Sequence, residues 1–280
     1  QLIRTISVMF FQLVFAYALP YIMESFVETQ GYFGKDLKNI WPLNYYFVDQ
    51  LDAMSNSGVS GTFFFFWGIV LFLIVTPVLT YYVGKRWYCS WVCGCGGLAE
   101  TAGDPYRQHS DKSMKAWKFE RIIIYSVFVF AIFMTIGALT RAEYFLGMKA
   151  EDIRFWYGFA VGSIFSGVIG TGFYPIFGNR VWCRFGCPMA AVLGFQQRLF
   201  SKFRITTNGG QCISCGNCST FCEMGIDVRA YAQKGENIVR SSCVGCGICA
   251  DVCPRGVLKL ENVSIIEGLN FPKIRKETKE

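Results

Sequence analysis

Eight cysteines between residues 212 and 253 leave that stretch of chain little freedom. They form two runs of one pattern: Cys212-x2-Cys215-x2-Cys218-x3-Cys222, then Cys243-x2-Cys246-x2-Cys249-x3-Cys253, with Pro254 directly after. Three thiolates on a tight loop take three corners of an iron–sulfur cube, and the fourth cysteine of each run reaches the other cube. The spacing therefore groups Cys212, Cys215, Cys218 and Cys253 on one [4Fe–4S] cluster and Cys243, Cys246, Cys249 and Cys222 on a second. A pair of zinc sites is the competing reading, since C-x2-C also suits tetrahedral zinc. The third cysteine of each run, Pro254 and the lack of histidine nearby argue against it.

A fold built on two such cubes needs only about 55–60 residues, and this chain has 280. Hydrophobic residues make up 52% and the mean hydropathy is +0.33, values that belong to membrane proteins. Apolar stretches at residues 5–23, 62–83, 122–140 and 155–177 are each long enough to cross a bilayer. Between the first two, Pro42, Leu43, Phe47, Leu51 and Met54 have helical spacing and predict a helix on the membrane surface or packed over the bundle. In the fourth stretch, Gly158, Gly162, Ser166 and Gly170 recur every four residues, which lets helices approach closely. The first residue, Gln1, leaves room for an upstream segment.

The second and fourth stretches end alike. Gly84-Lys85-Arg86-Trp87-Tyr88-Cys89-x3-Cys93 matches Gly178-Asn179-Arg180-Val181-Trp182-Cys183-x3-Cys187 in glycine, arginine, an aromatic before the first cysteine, and both cysteines. The copies imply an internal duplication of a two-span unit. Two consecutive hairpins put both copies on one side of the membrane, so Cys89, Cys93, Cys183 and Cys187 together supply the ligands of a third [4Fe–4S] cluster. Cys95 is left over and is an alternative to Cys93, because Gly94 stands where the second copy has Pro188. Arg86 and Arg180 either offset thiolate charge or reach to lipid phosphates; Trp87 and Trp182 suit interfacial anchors.

With these spans, 22 of the 27 Lys and Arg residues lie on the cysteine side. The positive-inside rule then places the cysteines and both ends of the chain in the cytoplasm of a bacterial inner membrane. The net charge of +7 is explained by that membrane face and needs no nucleic acid. Thirteen cysteines packed in dense clusters do not suit disulfides. The lone histidine, His109, lies in a polar loop with Lys112, Lys115 and Lys118, and one histidine cannot supply two axial haem ligands. No nucleotide-binding loop or hydrolytic triad is legible.

These features resemble the NapH/NosR group of bacterial membrane iron–sulfur proteins, which takes in PceC-like and CcoG-like members. Cys89-x3-Cys93, Cys183-x3-Cys187-Pro188 and the two ferredoxin runs carry the resemblance, over roughly residues 62–260; Gly94-Cys95 departs from it. The resemblance implies electron transfer between the quinone pool or cytosolic donors and a periplasmic reductase or its maturation machinery. The expected fold is an α-helical membrane protein of four transmembrane helices with a two-fold internal repeat over residues 1–203. An α+β bacterial two-cluster ferredoxin-like domain follows over 204–262, then a tail over 263–280. The expected role is an electron-carrying subunit of an oxidoreductase rather than a catalyst on its own. Membrane lipid, other subunits of a redox complex and quinone are the expected partners. The alternatives are an assembly factor that reduces a metal or cofactor for a respiratory enzyme, and an anchor subunit.

Overall fold

The computed structural model describes residues 2–19, 21–22, 40–43, 66–84, 86–139, 144–145 and 147–263. Helix α1 (Leu2–Leu13) runs without a break into a π-helical turn, Val14–Ala18. The helix through Phe66–Tyr82 winds as a π turn over Leu71–Val75 and closes with α2 (Thr76–Tyr82). Two short helices, α3 (Trp87–Trp91) and α4 (Gly94–Glu100), carry the first C-x3-C. A 3-10 turn (Asp104–His109) leads to α5 (Met114–Leu139). A small hairpin of β1 (Tyr144–Phe145) and β2 (Met148–Lys149) then precedes α6 (Ala150–Tyr157), which continues as a π helix over Gly158–Gly172.

Helix α5 contains the one segment, Met114–Gly137, that is long and apolar enough to cross a membrane among the described residues. It begins well before residue 122 because Ser113 caps it, its hydroxyl accepting from the Ala116 N–H at 3.1 Å. Lys115 and Lys118 therefore stand on its polar first turns rather than in a loop. The first and second predicted spans are seen as the shorter apolar helices Leu2–Leu13 and Phe66–Tyr82. Most of the predicted surface helix lies outside the described residues. Within 40–43, Trp41 packs edge-on against Phe72 and Phe128, and its Nε1 donates to Thr135 Oγ1 at 2.9 Å.

Both helices that precede a C-x3-C are wound wide. In each, a threonine hydroxyl reaches the carbonyl five residues back, Thr76 to Leu71 at 2.7 Å and Thr171 to Ser166 at 3.4 Å. The four-residue glycine repeat keeps one face in either winding, so the space beside each glycine decides which of them packs. A Cβ at Gly162 would meet nothing within 4 Å, whereas one at Gly170 would sit 2.9 Å from the Trp182 Cβ. Gly170 alone of the two is a packing position. The helices turn large apolar side chains outward: Ile6, Phe10, Leu73, Val78, Phe119, Val129, Phe159 and Val168 are all exposed.

The chain then passes α7 (Tyr174–Phe177), a π turn (Trp182–Gly186) and α8 (Pro188–Phe200). Strand β3 (Phe203–Thr207) pairs antiparallel with β4 (Leu258–Asn262), Ile205 opposite Leu260. Between them lie α9 (Asn217–Thr220), α10 (Val228–Lys234) and α11 (Ile248–Asp251). Two hydrophobic cores result. One joins Trp87, Tyr88, Cys89, Trp182, Cys187, Met189 and Leu193 in the helical part. The other joins Ile205, Met224, Val228, Ile238 and Cys243 in the ferredoxin-like part, and Cys183 belongs to it. The second C-x3-C thus straddles the seam between the two cores.

The duplicated glycines are required there. Gly84 and Gly178 both have positive φ, +109° and +86°, a region open to glycine. A Cβ on Gly84 would lie 2.5–2.8 Å from the Phe203 side chain, and one on Gly178 would strike Ser110. Each glycine lets the end of the preceding helix press directly on the next layer.

Candidate iron–sulfur sites

The ferredoxin-like part holds two separate cavities. Cys212, Cys215, Cys218 and Cys253 line the first, together with Ile213, Pro254 and Val257. Cys222, Cys243, Cys246 and Cys249 line the second, together with Ile205, Met224 and Ile238. In each run a left-handed glycine, Gly216 (φ +87°) or Gly247 (φ +80°), starts the short helix that carries the third cysteine. The fourth cysteines are met by backbone amides. Burial raises the Cys253 thiol, but the N–H groups of Val257, Arg255, Leu258 and Gly256 more than offset it and hold the thiol below its ordinary value. Burial pushes Cys222 up to about 11 in spite of the Ile226 and Met224 amides; the Ile226 N–H lies 3.4 Å from its sulfur. Amide donors to sulfur favour the thiolate that iron needs.

Among the described residues, no three Cys, His, Asp or Glu side chains are close enough to share one metal ion. A single zinc draws its sulfurs to within about 4 Å of one another. A cube has its four ligands on separate iron corners and asks for a wider ring, which two cavities lined by four cysteines each suit.

The two C-x3-C segments meet. Cys89, Cys183 and Cys187 are buried. Burial and then the nearby Cys183 push the Cys89 thiol up. Burial, then Cys89, Cys183 and Cys93, do the same to Cys187. These four sulfurs therefore share one neighbourhood. Cys95 adds a fifth in a different role: its thiol donates to the Cys93 sulfur, and that bond, against burial and with help from the Gly96 and Cys95 amides, lowers Cys93 to about 6. Cys93 is the member of the pair prepared to be a thiolate. Trp87 Nε1 and Arg180 Nε are buried donors with no hydrogen-bond partner, and the sulfides of a cube are acceptors for such groups. The donor set fits a [4Fe–4S] cluster.

Arg86 and Arg180 do not reach for lipid; both are buried, 2% and 1% exposed. Each braces the opposite copy. Arg86 Nη1 donates to the Cys183 carbonyl at 3.1 Å, and Arg180 Nη1 to the Cys89 carbonyl at 3.3 Å. The two arginines thus form a reciprocal clamp between the C-x3-C segments. Trp87 and Trp182 are likewise in the core rather than at an interface, 7% and 9% exposed. They flank the site, and their side chains fill the space behind it.

The clamp connects to a buried ionic cluster that the sequence pattern did not flag. Arg180 Nη2 contacts Glu100 at 2.6 Å and Glu223 at 3.3 Å. Glu100 also pairs with Arg4 at 3.2 Å and Arg107 at 3.3 Å. Burial would raise the Glu223 carboxyl, yet Arg180, then Arg107 and Arg4, hold it below the ordinary carboxylate range. Glu223 follows Cys222 in the chain, and its carbonyl accepts from Ser110 Oγ at 2.9 Å. Arg86, by contrast, donates its Nε to the Ser241 carbonyl at 2.9 Å, two residues before Cys243. Each duplicated arginine links the C-x3-C segments to one cysteine run.

Comparison with known proteins places these features in a class. The family described as 4Fe-4S dicluster domain matches residues 204–254. The family described as 4Fe-4S binding domain matches twice, at residues 64–113 and 157–206, so that each match contains one C-x3-C. The chain carries [4Fe–4S] clusters of the ferredoxin type. Among curated proteins, "Putative electron transport protein YccM" of Escherichia coli (strain K12) is 27% identical over 171 residues, covering 57% of this chain and 46% of that protein. The chain thus spans about half the length of the relative it matches. No solved structure matches the chain.

Proposed function

We propose that this chain is a membrane-bound electron relay of the NapH/NosR type. It passes electrons between the quinone pool, or a membrane partner, and a reductase complex on its cytoplasmic side. One observation supports the reading: twelve cysteines gather in three groups. Cys89, Cys93, Cys183 and Cys187 hold the membrane-side cluster. Cys183 shares a hydrophobic core with Cys222, Cys243, Cys246 and Cys249, which hold the inner ferredoxin cluster. Cys212, Cys215, Cys218 and Cys253 hold the outer one, where Cys215 is exposed to a soluble partner.

The iron–sulfur cubes supply one-electron redox chemistry when bound. The protein's own residues do the rest. Amides and buried arginines stabilise thiolate charge, apolar walls exclude water, and the arginine clamp keeps the two parts in fixed register. The exposed apolar faces of the helices fit four spans in a bilayer, with the basic segment 85–121 on the cytoplasmic side.

The test uses the protein in lipid vesicles with the double change Cys183→Ala and Cys187→Ala. Electron flow from a soluble reductant to a membrane-dissolved quinone falls at least 100-fold, while the two ferredoxin clusters remain reducible. An unchanged flow overturns the relay.

A further inference from the structure

A cleft of about 580 Å³ lies against the second C-x3-C segment, within the range of small-molecule sites. Its walls are apolar: Phe119 of α5, Phe165 of the π helix and Phe177 of α7. Both Phe119 and Phe177 are exposed and continue the lipid-facing surface of the helices. One side is polar, with the exposed His109 and Lys115 and the buried Arg184. Residues 181, 184 and 185 line it, so the backbone on either side of Cys183 forms part of its wall.

The polar side has a defined proton acceptor. His109 Nδ1 contacts the Pro175 carbonyl. A carbonyl only accepts, so Nδ1 carries the hydrogen and Nε2 of the neutral ring presents a lone pair. Arg184 is held by Glu120 at 3.3 Å and by the Asp111 carbonyl at 3.1 Å, and its guanidinium stacks over Phe185 at 5.0 Å. Asp111 also lines this side, and a phosphate head group would face its carboxylate. A neutral head that gives up protons meets no such penalty.

We propose that this cleft binds the head of a lipid-soluble hydroquinone and that His109 takes up a proton as that head is oxidised. The proposal rests on the relay reading and deepens it by naming the entry site. The balance closes. Two O–H bonds of the hydroquinone break and the quinone forms; one proton goes to His109 Nε2 and the other to water. Two electrons leave singly, and two oxidised [4Fe–4S] clusters of the chain are each reduced by one.

Two measurements on the anaerobic, cluster-loaded protein test it. The first is binding of 2-heptyl-4-hydroxyquinoline N-oxide, a fluorescent head-and-tail analogue, followed by quenching. The second is the rate at which a short-chain hydroquinone bleaches the cluster absorbance, with dithionite as the reference reductant. Ile123→Trp, which fills the cleft, weakens analogue binding more than 10-fold. His109→Gln keeps binding within about 3-fold but slows hydroquinone oxidation more than 10-fold. Both keep the parent's iron content and dithionite bleaching; should Ile123→Trp lose iron, His109→Gln decides alone. The proposal falls if the parent binds no analogue or if the His109→Gln rate equals the parent rate. Either result with electron flow from a soluble reductant to a protein partner intact leaves the relay standing; loss of the clusters themselves sinks the relay instead.

Discussion

Arg86 offers the sharpest quantitative test of the membrane-side site. It is buried, it braces the Cys183 carbonyl, and among the described residues no carboxylate offsets its charge at the site. Across a separation of about 8 Å at an effective dielectric constant of about 20, one charge is worth about 2 kcal/mol, or about 90 mV for one electron. Reduction adds negative charge, so a fixed cation raises the potential and its removal lowers it. Arg86→Gln should lower the midpoint of the membrane-side cluster by about 50–100 mV in an EPR-monitored redox titration, with smaller shifts in the two ferredoxin clusters. Arg86→Lys keeps the charge and should stay within about 30 mV of the parent. If Arg86→Gln retains its iron and shifts the potential by less than about 20 mV, or shifts it upward, the electrostatic argument is wrong.

Arg180 should behave differently, because Glu100 and Glu223 already balance it. Arg180→Gln removes the buried cation that Glu100 and Glu223 share, leaving them to Arg4 and Arg107, and should cost about 2–4 kcal/mol, seen as a fall of roughly 10 °C in Tm; an unchanged Tm would show that the cluster of charges is slack. Cys93→Ala should lose the membrane-side EPR signal while Cys95→Ala keeps it with a lower midpoint, since Cys95 only donates to Cys93; the reverse pattern would exchange their roles. Gly178→Ala forces a left-handed alanine against Ser110 and should destabilise by about 1–3 kcal/mol, measurable by thermal or denaturant unfolding. A Gly178→Ala protein as stable as the parent would refute the close approach.

Much of the site could be read from spacing alone. Cysteine runs constrain local loop geometry, so their grouping survives without knowledge of the fold. The repeated Gly-x-Arg-x-aromatic-Cys-x3-Cys was equally visible, because duplication leaves a pattern in the chain itself. The partners of those residues were not. Arg86 and Arg180 read as groups near a cluster or near lipid, and only their burial and their reciprocal bonds decide between the two. Glu100 and Glu223 belong to no motif. Their significance comes from Arg4 and Arg180, which contact Glu100 across 96 and 80 residues of sequence. Long-range ion pairs of this kind leave no periodic trace. The wide winding of Gly158–Gly172 was hidden for another reason. Hydrophobic periodicity assumes 3.6 residues per turn, and a π helix breaks that assumption without changing composition. His109 looked like an ordinary loop residue until Pro175 and the cleft beside Arg184 were brought to it.

The account depends on three cubes in one chain, and counting iron tests it most directly. Protein purified without air should contain about twelve iron and twelve sulfide per chain, with Mössbauer spectra of [4Fe–4S] centres throughout and with Cys89, Cys183 and Cys187 resistant to alkylation until the iron is chelated. About eight iron per chain, with those three thiols alkylated as readily before chelation as after, would contradict it.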